Sequence, residues 1–183
     1  MIRATLTIIA MGLLSAAACP AQVPDEPDHE SMIKNAMSAA YAAISANATI
    51  MDWDSNVRRE GSNGWTCLPD LPLSAANDRM CVDGPWLNFL KAFGEKAEPD
   101  FTQIGISYML AGGGGNSNKD PFATMPTPDN EWMERGPAHV MLVVPNIEQV
   151  KHLSTDPHNG GPWLMWRGTP YAHVMIPVVP HTP

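Results

Sequence analysis

Two histidines and two methionines recur in one pattern. Ala138-His139-Val140-Met141 and Ala172-His173-Val174-Met175 are copies of a single tetrapeptide. On a β-strand, residues two apart share a face, so each His lies beside its own Met. The alternate faces, Val140, Leu142 and Val144 in one copy and Val174, Ile176 and Val178 in the other, are apolar throughout. If the two segments are neighbouring strands, two imidazoles and two thioethers converge. That donor set suits copper, above all Cu(I), better than magnesium or calcium. Packing is the plainer reading, since a His on an apolar strand is ordinarily a satisfied core residue and Met a common gap-filler. A third reading makes His139 or His173 the general base of a hydrolase-like enzyme, which requires a carboxylate beside the ring. His152 and His158 fall on a helix end and in a loop, where solvation is expected.

Tryptophan marks a second candidate site. Trp53 stands between Asp52 and Asp54, Trp65 follows Asn63-Gly64, and Trp163 and Trp166 bracket Leu164-Met165. Aromatic rings beside carboxylates and amides are what a small-ligand pocket uses, although Trp also serves as plain core bulk. Trp163 and Trp166 are three residues apart, so a regular strand would turn them to opposite sides. No GxSxG elbow, HExxH helix or P-loop is present to name an enzyme class.

The N-terminus reads as an address. Arg3 precedes an uncharged apolar run over residues 4–18, followed by small residues and Pro20. This is the layout of a secretory signal peptide, and the run is short for a membrane span, which takes about 20 residues. Cleavage is expected after residue 18 or 21. The stretch Leu14-Ser15-Ala16-Ala17-Ala18-Cys19 also resembles a bacterial lipobox, in which Cys19 would carry the lipid, with Ala16 where Leu is usual. Residues 22–30 form an acidic, Pro-containing leader. With Cys19 removed or lipidated, Cys67 and Cys81 are the remaining thiols, and export makes them a disulfide.

The chain has 183 residues, 44% of them apolar, with 18 Pro and 12 Met, enough for one globular domain over residues 31–183. A net charge of -8 argues against a nucleic-acid partner and against electrostatic attachment to lipid, leaving a lipid anchor as the one membrane contact. Apolar residues at helical spacing predict a helix over residues 29–46. Asp83-Gly84-Pro85 predicts the start of a second, stopped at Gly94, and Asn146 a short third through residue 153. Strands are expected over residues 48–53, 57–60, 64–67, 103–110, 138–144, 163–167 and 171–176. Residues 115–134 read as a long loop, either a lid or a flexible connector. The order of elements predicts an α+β fold: a mainly antiparallel sheet with two to three packed helices and one disulfide.

The C-terminal stretch from Gly160 to Met175 (GGPWLMWRGTPYAHVM), with Asn63-Gly64-Trp65-Thr66-Cys67 and Gly105-Ile106-Ser107-Tyr108-Met109-Leu110, resembles exported bacterial proteins known only as hypothetical. The resemblance covers most of the mature chain and implies export without implying an activity. The reading is therefore an exported module, periplasmic or a lipoprotein of the outer envelope. It would bind an unknown small molecule or an envelope protein through a pocket beside residues 115–134, with copper on the His/Met face as a variant. The alternatives are the hydrolase-like enzyme and a structural envelope protein.

Overall fold

The computed structural model describes residues 28–71 and 76–178. The expected signal peptide, Cys19 and most of the expected leader lie outside them. Asp28 accepts a hydrogen bond from the Ser31 amide and caps α1 (His29–Met37), so His29 and Glu30 belong to this helix and not to the leader. The expected single helix over residues 29–46 is broken. Ala39 and Ala40 are buried after α1, and the Leu110 amide donates to the Ala39 carbonyl, so the chain bends inward before α2 (Ala42–Ser45). Close packing of small alanines against the sheet overrides helix periodicity there.

Ten strands follow: β1 (Thr49–Met51), β2 (Val57–Arg59), β3 (Thr66–Leu68), β4 (Met80–Val82), β5 (Gly105–Met109), β6 (Asn116–Ser117), β7 (Trp132–Met133), β8 (His139–Val143), β9 (Trp163–Met165) and β10 (His173–Pro177). Eight of them form one sheet in the order β2-β1-β3-β4-β5-β8-β10-β9, antiparallel except for the β1–β3 pair, and β6 pairs with β7 separately. The fold is α+β with one disulfide. Cys67 and Cys81 are direct partners across β3 and β4, and both are fully buried beneath α1 with Ala36 and Ile50.

The helix α3 (Gly84–Glu95) covers the opposite face. Asp83 caps it, one carboxylate oxygen accepting from the Trp86 amide and the other from the Ile106 amide, which ties the helix start to β5. Gly94 lies inside this helix, and the stop is Lys96 in a left-handed conformation. Trp86 and Phe89 pack into a core built with Met109, Met141, Met165, Met175 and Trp163. The predicted third helix shortens to a 3-10 turn over Ile147–Gln149. No helix among the described residues is long and apolar enough to cross a membrane.

The segment expected as a loop over residues 115–134 contains the β6–β7 ribbon. Ser117 donates its hydroxyl hydrogen to the Asn130 carbonyl and accepts from the Lys119 and Asp120 amides. Asn118, buried, donates to Glu131 and to the Thr155 carbonyl and accepts from Trp163 Nε1. These local bonds replace a core as the source of order in a Gly/Asn/Pro-rich sequence.

Candidate functional site

The two copies of Ala-His-Val-Met lie on neighbouring antiparallel strands. Met141 faces Met175 and His139 faces Pro177, so both histidines and both methionines share the face beneath α3. The residues align in rows across the sheet. Ser107, Met141, Met175 and Trp163 form the central one. Met109 and His139 pair in the row on one side, and His173 pairs with Met165 in the row on the other.

That register keeps the imidazoles apart. His139 and Pro177 are partners, and His173 lies four residues before Pro177, roughly 13 Å along the strand. Each ring is also tied back along its own strand: His139 Nδ1 is 2.7 Å from the Pro137 carbonyl oxygen, and His173 Nδ1 is 2.9 Å from that of Tyr171. Both ties point away from the central row. The expected convergence of two imidazoles and two thioethers on one point therefore gives way to two separate corners, with the Met141–Met175 pair between them.

A carbonyl only accepts, so the hydrogen sits on Nδ1 in both rings and Nε2 keeps the lone pair. His139 is 3% exposed and His173 2%. Burial lowers the pKa of His139, against the Pro137 carbonyl that raises it. Burial likewise lowers His173 to about 4, with charge on His139 adding to the effect. Both are neutral at pH 7. Among the described residues neither ring contacts a carboxylate, the partner a general-base histidine would need.

The surroundings of the corners differ. The His173 ring meets Trp166, Trp86 and Phe89 nearly edge-on, with centroids at 4.8, 5.6 and 5.9 Å. It is walled by aromatics. His139 instead pairs with Met109 and lies beside Gly113. Sequence reasoning missed Met109 and Met165, although Gly105, Ser107 and Met109 already share one face by alternation. Their pairing with the histidines depends on strand order, which no local pattern encodes.

The tryptophans also redistribute. β9 ends at Met165 and Trp166 takes φ +55°, which swings its ring to the side expected for Trp163 alone. Both indoles then anchor the ribbon, Trp163 through Asn118 and Trp166 through the Ser117 carbonyl. Trp65 packs on Tyr108 over the other face, and Trp53 hydrogen-bonds the Pro69 carbonyl at the far side of the core. The four do not form one pocket.

Trp163 does line a cavity of about 330 Å³, shared with Trp132, Met133, Pro137 and Pro157. Glu134, Arg135 and His158 supply its polar groups. It opens between the end of the β6–β7 ribbon and the turn-rich segment before β9. Trp132 was missed because nothing in Glu131-Trp132-Met133-Glu134 marks it as facing inward. No group of three or more His, Cys, Asp or Glu side chains among the described residues is arranged to hold a metal. Comparison with protein-family models, curated proteins and solved structures finds no match.

Proposed function

We propose that the chain is an exported small-ligand-binding module, and that the cavity between Trp132 and Trp163 is its binding site. The cavity carries this reading. Its volume of about 330 Å³ lies in the range of small-molecule sites, and apolar walls with a few polar groups are their usual composition. Indole and proline surfaces favour a flat, largely apolar molecule, and Arg135, Glu134 and His158 can orient one polar edge of it. The apolar run over residues 4–18 behind Arg3 supports export, and the buried disulfide is compatible with an oxidising compartment. Lipidation at Cys19 would tether the module; cleavage after residue 18 or 21 without lipid would leave it free in the periplasm.

A fragment library screened by saturation-transfer NMR tests the assignment. Binders are expected, and Pro157→Trp, which fills the cavity from its wall, should abolish their signals. Binders that survive Pro157→Trp unchanged, or a library without binders, would refute it. Mass spectrometry of the mature protein checks export separately, and an intact Met1 terminus would count against it.

A further inference from the structure

The duplicated tetrapeptide places one histidine among aromatics and the other beside sulfur. Met109 is the direct partner of His139 across β5 and β8. A Cβ placed on Gly113 would lie 3.0 Å from Met109 Cε and 3.5 Å from His139 Cε1, so thioether and imidazole meet beside that glycine. Gly113 bridges antiparallel to Gly136, and partners in such a bridge face the same side. A Cβ on Gly136 would lie 3.8 Å from Met133 Cε. Met109, Met133 and His139 thus flank one glycine pair, and the lack of side chains there is what lets the thioether methyls and the imidazole come this close.

The ring nitrogen turned away from Pro137 is the one with the lone pair, and it makes no protein hydrogen bond among the described residues. We propose that His139 Nε2, Met109 Sδ and Met133 Sδ form a binding site for Cu(I). Three neutral donors, two of them thioethers, select a soft monovalent ion over magnesium and calcium, which take oxygen ligands, and over zinc, whose sites are built from thiolate, imidazole and carboxylate and not from thioether. A single positive charge also costs less to bury than a double one. Met133 lines the cavity as well, which gives the ion a route from solvent to a histidine that is itself buried. The site goes beyond the small-ligand reading and does not depend on it, since copper needs no organic ligand here.

Anaerobic titration with Cu(I) alone, kept reduced by ascorbate and competed with bicinchoninate, tests it. The intact protein should withdraw one equivalent. Met109→Leu with Met133→Leu conserves volume and should keep the near-ultraviolet circular dichroism of the folded state while lowering affinity at least about tenfold. Met141→Leu with Met175→Leu should bind as wild type. X-ray absorption of the copper-loaded wild type should show one nitrogen and two sulfur ligands, a readout independent of any variant. No copper uptake by wild type, full uptake by the Met109/Met133 variant, or loss in the Met141/Met175 variant would each overturn the assignment.

Discussion

His139 and His173 share a face on adjacent strands, yet the Met141–Met175 pair stands between their rows and each ring is drawn to a carbonyl on its far side. Two identical tetrapeptides therefore create two unlike sites from one local geometry. What differs is the neighbouring strand: β5 brings Met109 to His139, and β9 brings Met165 to His173 before Trp166 turns over it.

Acid should destabilise the fold through these rings. His173 titrates at about 4 when folded, against 6.5 for an ordinary His, so between those values the unfolded chain binds a proton that the folded one refuses. Its contribution is complete above pH 6.5, falls as pH drops toward 4, and is exhausted below; the full loss is about 3 kcal/mol. His139 acts in the same direction. Urea midpoints at pH 7, 5.5 and 4.5 should fall steeply for wild type and less steeply for His173→Phe. Parallel slopes would refute the assignment.

Removing the disulfide should cost about 3 kcal/mol, the chain-entropy value for a short closed loop. Here the loop spans a sequence separation of 14. Cys67→Ala with Cys81→Ala is the appropriate variant, because both sulfurs are fully buried against α1 and Ser would add unpaired hydroxyls. Chemical denaturation of the two proteins gives the difference.

Alanine should have opposite effects at two glycines. A Cβ on Gly114 would lie 2.2 Å from the Glu134 carbonyl oxygen, which is backbone and cannot swing aside, so Gly114→Ala should lower stability by about 2 kcal/mol or more. Gly94 lies in α3 with nothing near its Cβ position, and Gly94→Ala should raise stability by up to about 1 kcal/mol. Thermal melts of the two variants check the signs.

Asn118→Ala should loosen the cavity wall. It removes the acceptor for Trp163 Nε1 and the donor for the Thr155 carbonyl at a buried position, a loss of about 2–3 kcal/mol. Hydrogen exchange should accelerate at the Leu164 amide, which bonds the Ser154 carbonyl beside the lost contact. Unchanged exchange there would show that Asn118 does not hold the segment.

Alternation made β5 and β8 legible, because each has one buried and one partly covered face, and β10 was legible as the second copy of the β8 tetrapeptide. The Cys67–Cys81 bond followed from counting thiols. The antiparallel pairing of β9 with β10 suits the short Gly168-Thr169-Pro170 connection between them. The β1–β3 parallel pair, the β6–β7 ribbon and the short β4 did not follow: each is set by side chain-to-backbone bonds or by strand order, which local periodicity does not carry. The cavity was illegible for the same reason. Trp132 and Trp163 are far apart in sequence and line one cavity where Asn118 ties their segments together. The copper reading began from four residues; the site proposed above retains His139 and takes Met109 and Met133 in place of the others.

The position of β10 has a consequence for biosynthesis. Among the described residues the last strand is an interior one, inserted between β8 and β9, and it is the strand that joins β9 to the sheet. A nascent chain that has delivered everything before residue 173 holds an unzipped edge at β8, and its β9 is joined to the Ser154 backbone through the Trp163 bridge and the Leu164 amide. The β8–β10–β9 end of the sheet therefore closes only once β10 is available.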